Sequence, residues 1–220
     1  MRRRDLIRLA ALSLLPPALL AAGAGRAGAQ GAPQAPAIDV EAILRDPQAP
    51  GAGNPEGDVT IVAFLDYNCP FCKTSAPDLA RVVKEDGRIR LVYKDWPILT
   101  EASVYGAQLA LAAKYQGRYG EVHDALMRIP GRRIPEEEML KAVAASGVDL
   151  DRLMADLKAH IGEIGALLKR NATQAESLGL QGTPTYLVGP LLASTLDYAS
   201  FRRAIAEARR RQAAEQAAAQ

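Results

Sequence analysis

Two cysteines three positions apart, set just behind a β-branched apolar run, constrain this 220-residue chain more than any other feature of its sequence. Val59-Thr60-Ile61-Val62-Ala63-Phe64-Leu65 carries no charge, the pattern of a strand buried on both faces. Cys69-Pro70-Phe71-Cys72 follows directly. From Cys69 to about Glu85 the spacing turns helical, with Leu79, Val82 and Val83 on one side and Gly87 as a stop. Arg88 to Lys94 then alternates through Ile89, Leu91 and Tyr93 as a second strand. Strand, helix, strand is the first half of an α/β unit, and it places the cysteine pair where the strand hands over to the helix.

That placement carries chemistry. A cysteine at a helix N-terminus lies beside unpaired backbone N–H groups and the positive end of the dipole, which favour thiolate over thiol. A free cysteine titrates near 8.5, whereas the first cysteine of a helix-start C-x-x-C falls to roughly 3.5 to 7. Pro70 fits the first turn, where its missing N–H costs no hydrogen bond. Cys72, one turn in, lies deeper. Cys69 is therefore expected to meet the substrate and Cys72 to open and close the internal disulfide, with Pro70 and Phe71 completing the redox motif. A zinc site would need two further ligands, and His123 and His160, the only histidines, stand far off without ligand spacing. A purely structural bridge between residues one turn apart would constrain little of the unfolded chain. No metal and no cofactor is expected, and both histidines read as surface or packing residues.

Residues 1–29 read as an export signal: Arg2, Arg3, Arg4 and Arg8 precede an apolar run from Leu9 to Ala22, and Ala27-Gly28-Ala29 offers a small-residue cleavage site. The run is shorter than the ~20 residues a spanning helix needs, and Pro16-Pro17 interrupts it. Arg3-Arg4-Asp5-Leu6-Ile7-Arg8 fits a twin-arginine route as well as a general secretory one. Without residues 1–29 the chain holds 22 Lys and Arg against 24 Asp and Glu. That balance speaks against a nucleic-acid partner, and the cluster Arg209-Arg210-Arg211 reads as a solvated helix end. In an oxidising compartment a lone adjacent cysteine pair reads as redox chemistry rather than as a disulfide scaffold.

Residues 30–57, rich in Ala, Pro and Gly, read as a leader with one or two helical turns around Ile38 to Leu44. Between Pro97 and Gly179 helical periodicity recurs: Val104, Ala107, Leu111 and Tyr115; Tyr119, Val122 and Leu126; then Leu150, Leu153, Leu157, Ile161, Ile164 and Leu168. Pro135 with three glutamates marks a helix start and Gly147 its end. Sheet returns at Thr185-Tyr186-Leu187-Val188, turns at Gly189-Pro190 and continues through Leu191 to Ala193. A last helix begins at the cap Asp197, with Tyr198, Phe201, Ile205 and Ala208 on one face.

The order of these pieces resembles the DsbA-like thiol-disulfide oxidoreductases of bacterial envelopes. Asp66-Tyr67-Asn68 before the cysteines, Lys94-Asp95-Trp96-Pro97-Ile98-Leu99 after the second strand, the helical block, and Gly182-Thr183-Pro184-Thr185-Tyr186 before the next strand carry the likeness over about residues 58–208. The resemblance implies an α/β, thioredoxin-like fold with an inserted α-helical domain: residues 58–96 and 180–212 form the thioredoxin-like part, 97–179 the insertion, and 213–220 a frayed tail. It implies a cis bond before Pro184, facing the cysteines, with the Thr183 backbone pairing with an extended substrate and its hydroxyl reaching Cys69. It implies a periplasmic enzyme that introduces disulfides into thiol-containing exported proteins and is re-oxidised by a membrane redox partner. A disulfide isomerase or reductase on the same scaffold, and a non-catalytic binding or chaperone module, are the alternatives; the oligomeric state stays open. One departure stands out. Thioredoxin-like proteins often bury an acid six residues before the first cysteine, and here that position is Ala63, while Asp66 reads as a group that shapes the strand end.

Overall fold

The computed structural model describes residues 38–219. The expected export signal and the first part of the leader lie outside them. A five-stranded sheet carries the fold, built from β1 (Gly51–Gly53), β2 (Val59–Leu65), β3 (Ile89–Asp95), β4 (Thr185–Val188) and β5 (Leu191–Ser194) in the order β1-β3-β2-β4-β5. Only β2 and β3 run parallel, joined through helix α2 (Pro70–Asp86), while the other neighbours pair antiparallel. β2 and β3 are buried on both faces, which is why they read as continuous apolar runs.

The two faces hold separate cores. Ile61, Ala63, Leu65, Leu91, Tyr93 and Tyr186 pack under α2 and under α7 (Tyr198–Ala218). Val62, Phe64, Val92, Trp96 and Leu187 pack on the other face with Ile43 of the short helix α1 (Val40–Leu44) and with Ala175 of α6 (Leu150–Ser177). Helix α2 begins with Cys69 as its N-cap and stops at Gly87, whose φ of 69° closes a left-handed cap that costs glycine least. The insertion between β3 and β4 comprises α3 (Glu101–Ala113), α4 (Tyr119–Arg128), α5 (Glu136–Ala144) and α6. The thioredoxin-like α/β fold with a helical insertion is thus the observed architecture.

Several local expectations change. The leader supplies an edge strand, β1, that its Gly-Ala-Gly composition hides, and Tyr93 N–H donates to Pro50 O at 2.8 Å beside it. The apolar stripe of α6 breaks at His160, where φ −113° and ψ 15° leave the helical region: Ile164 and Leu167 are buried beyond it, and Ile161 faces out. Val104 also points outward, because α3 buries Ser103, Gly106 and Ala107 instead. α7 continues to Ala218, through the stretch where fraying is expected. Arg209 is no solvated end: it clamps Asp58 and Asp86, both at 2.7 Å, and fastens α7 to the β2 and α2 termini. Arg210 and Arg211 do lie exposed and pair with Glu207. Among the described residues no helix is long and apolar enough to cross a membrane.

Candidate active site

The turn between β2 and α2 brings the redox motif to one end of the sheet. Cys69 and Cys72 are both free thiols, 2% and 0% exposed, so only the first keeps a surface toward solvent. Pro70 occupies the first helical turn, and Phe71 stands 61% exposed beside the sulfur, an apolar ring offered to whatever approaches. The loop before β4 closes the other side. The Thr183–Pro184 peptide is cis, and the Cys69 thiol donates to Thr183 O at 3.0 Å. All six residues singled out in the sequence, Cys69, Pro70, Phe71, Cys72, Thr183 and Pro184, therefore meet at one place.

The two sulfurs are driven apart electrostatically. Hydrogen bonding from Cys72 is the main influence that holds Cys69 down at about 6, against burial, with help from Thr183 and from the Cys72 and Phe71 backbone N–H groups. The Cys72 N–H donates to Cys69 Sγ at 3.3 Å, the helix N-terminus acting directly on the sulfur. The Thr183 hydroxyl is buried without a partner of its own, which leaves its proton for the thiolate. Cys72 goes the other way: burial first, then the neighbouring Cys69, push it far above the ordinary range. One sulfur attacks and leaves as an anion, and the other is kept protonated until it is used.

Around the pair, polar side chains do the bracing. Asp66 accepts N–H groups from Asn68 (2.7 Å), Ile98 (2.8 Å) and Leu99 (3.0 Å), so it shapes the strand end and holds the exposed Ile98 and Leu99 beside the site. Asn68 reaches into the insertion, accepting from Ile134 N (2.6 Å) and donating to Thr100 Oγ1 (2.8 Å). Lys73 Nζ donates to Gly131 O at 3.2 Å. The loop before α5 is thereby pinned onto the active-site turn.

Behind this turn lies a buried polar cluster that periodicity alone does not disclose. Tyr67 OH contacts His123 Nδ1 (3.1 Å) and Tyr119 OH (3.4 Å), and Tyr119 OH donates to the Asp95 carboxylate (3.1 Å). His123 is thus a packing residue, ringed by Tyr67, Tyr93 and Tyr119; burial lowers it to about 3 and keeps it neutral. His160 stacks on Tyr115 at 3.7 Å. Burial raises Asp95 to about 7, opposed by the Tyr67 and Tyr119 hydroxyls. The unfolded carboxyl ionises near 4, so the folded state loses stability from this group as pH rises from about 4 to 7, by about 4 kcal/mol in full. Asp95→Asn keeps an acceptor for Tyr119 and cannot ionise. Urea unfolding across that window is expected to show the variant gaining on the parent as pH rises; a pH-independent difference between the two refutes the assignment.

A family model described as Thioredoxin matches residues 46–207. The chain belongs to the DsbA-like thiol-disulfide oxidoreductases of the thioredoxin family. A thioredoxin-like oxidoreductase from Silicibacter pomeroyi DSS-3 is 38% identical, with a TM-score of 0.72 over 77% of this chain and 97% of that one. The thiol-disulfide exchange protein alpha-DsbA2 from Wolbachia pipientis is 29% identical, with a TM-score of 0.71 over 76% and 90%. A probable disulfide bond formation protein D from Bacillus anthracis is 27% identical over 70% of this chain and 75% of its own length. The chain also matches a Na(+)/H(+) antiporter NhaA 1 from Salinispora arenicola at 30% identity, but covers only 21% of that protein's length and 62% of its own. The DsbA-like signature was legible in the cysteine motif, in the segments holding Asn68 and Asp95 and in Thr183-Pro184; the partners of Asn68, Asp95 and His123 were not, although the charged pair Lys94-Asp95 ending an apolar strand was a signal of buried polar chemistry.

Proposed function

We propose that this DsbA-like protein introduces disulfides into exported proteins in an extracytoplasmic compartment, with Cys69 and Cys72 as the exchanging pair. The observation that carries the reading is the separation of the two sulfurs: Cys69 is held at about 6 and Cys72 is buried and protonated. In the oxidised enzyme a client thiolate attacks the Cys69 sulfur, the Cys69–Cys72 bond breaks, and Cys72 leaves with the electron pair and takes up a proton. A second client thiolate then attacks the client sulfur of the mixed disulfide and expels Cys69. A stabilised Cys69 thiolate leaves readily and favours the reduced enzyme, so electrons flow from client to enzyme.

Phe71 inside the redox motif, and Ile98 and Leu99 held by Asp66 at the strand end before it, are exposed apolar groups suited to an unfolded client, and Thr183 lies where an extended client backbone would run beside Cys69. The basic, apolar, small-residue order of residues 1–29 supports export through a cleavable signal, and re-oxidation calls for a membrane redox partner. The same exchange run on a pool of reduced enzyme gives isomerisation or reduction. Equilibration of the Cys69/Cys72 pair in graded glutathione buffers separates these. A potential well above the roughly −270 mV of thioredoxin, toward −120 mV, with Cys69 ultraviolet absorbance titrating near 6, is the expected result. A potential at thioredoxin's value turns the assignment to a reductant.

A further inference from the structure

The departure at Ala63 leaves Cys72 without the buried acid that related proteins place beside the deeper thiol, and the sheet register shows what stands there. Ala63 pairs with Tyr93 on β3 and with Tyr186 on β4, and directly paired residues share a face of the sheet, here the face under α2. Tyr186 is fully buried, its ring edge-on to Phe201 at 4.9 Å, and its hydroxyl is hydrogen-bonded to Ser75 Oγ at 2.5 Å. Ser75 is itself 2% exposed and lies three residues after Cys72, one turn along the same face of α2. A serine and a tyrosine at these positions bring two hydroxyl protons into the buried space under α2. Their mutual bond uses one. The other has no acceptor among the described residues.

We propose that the Ser75–Tyr186 pair is the positioning element for Cys72, its spare proton donating a hydrogen bond to the Cys72 thiolate whenever that anion forms. In the resolving step Cys72 loses its proton and its thiolate attacks the Cys69 sulfur of the mixed disulfide, the lost proton being balanced by the one the departing client takes up. The Cys69–Cys72 bond forms, the bond from Cys69 to the client sulfur breaks, and the client leaves as a thiolate that takes a proton from water. In the opposite direction Cys72 departs with the electron pair and receives the same hydrogen bond. Both hydroxyls stay protonated throughout. Burial, with the Cys72 and Cys69 charges adding to it, holds the Tyr186 proton in place, while the Ser75 bond opposes it. A hydroxyl pair thus does by donation what an acid does by proton exchange. The inference rests on the thiol–disulfide exchange of this site and is indifferent to the direction of net electron flow.

The test uses the reduced protein with 5,5′-dithiobis(2-nitrobenzoate). Cys69 attack releases one thionitrobenzoate, and closure by Cys72 releases the second. Tyr186→Phe is expected to slow the second release about tenfold and to move its rise with pH upward by about one unit, leaving the first release within about twofold. Ser75→Ala is expected to act in the same direction, Ser75→Thr to restore the rate, and the double variant to be no slower than the worse single, because the pair acts as a unit. An unchanged second release in both single variants, or slowing of both releases together without a pH displacement, overturns the proposal. If the wild-type protein releases no thionitrobenzoate, the exchange reading fails and this proposal with it.

Discussion

Cys69→Ser is expected to reduce disulfide exchange to the background of the buffer, a fall of about a thousandfold or more, while Cys72→Ser is expected to turn the protein into a trap. The serine hydroxyl at position 69 is neutral at working pH and cannot form a mixed disulfide, so no step of the cycle remains. At position 72 the loss is different. Cys69 keeps its helix N-terminus and its Thr183 neighbour, and a serine hydroxyl can still donate to the Cys69 sulfur in place of Cys72. Attack on a disulfide should therefore continue within a few-fold of the parent rate, and the adduct then persists because no thiol stands behind it. Mass spectrometry after mixing with a disulfide peptide reads both variants: no adduct for Cys69→Ser, a stable one for Cys72→Ser. A binding or chaperone module would behave otherwise, retaining its function in Cys69→Ser, and that result would remove the redox assignment.

Asp46→Ala is expected to destabilise the fold by about 3–5 kcal/mol in urea unfolding, the largest single effect away from the cysteines. Lys94 Nζ is fully buried on the α1 side of the sheet and donates to Asp46 Oδ2 at 2.8 Å; Arg170 donates to both Asp46 oxygens at 2.9 and 3.1 Å. Burial alone would raise Asp46, but the Arg170 and Lys94 bonds outweigh it and hold the carboxyl at about 2. Lys94 shifts against its charged form, because burial costs the ammonium more than Asp46 returns. The pair is thus a poor source of net stability and an expensive thing to break. Alanine at 46 strands a buried cation beneath β1 and α1. Replacing both members, as Asp46→Leu with Lys94→Met, is expected to cost far less than the single change. Since the folded carboxyl titrates below its unfolded value, its contribution is complete above about pH 4 and disappears as pH falls through about 2. A single-variant loss under 1 kcal/mol would show that Lys94 finds water or another partner.

Asp46 also illustrates what a linear reading misses. In an Ala-, Pro- and Gly-rich leader it has no periodic neighbours, and its partners lie 48 and 124 residues away. β1 was hidden for a related reason: three small residues have little strand preference, and they pair with β3 only because β3 already offers an edge. The helices of the insertion were readable from their period. Their buried faces were readable only in part, since the break at His160 rephases α6 and α3 is enclosed by neighbours on most sides.

By itself the sequence determined the parts whose physics is local. An apolar strand handing over to a helix at Cys69 fixes the thiolate environment, because the helix N-terminus and its free N–H groups come with the junction. The same holds for the cap at Asp197 and for the stop at Gly87, each set within a few residues. Only the tertiary structure decided which distant groups share the buried space. It set Asn68 against Ile134, Asp95 against Tyr119, and Tyr186 with Ser75 beneath Ala63. Such pairings follow from strand order and sheet register, and a hydroxyl or carboxylate gains its chemical role here from the desolvation and partners that packing imposes, neither of which is encoded by spacing along the chain.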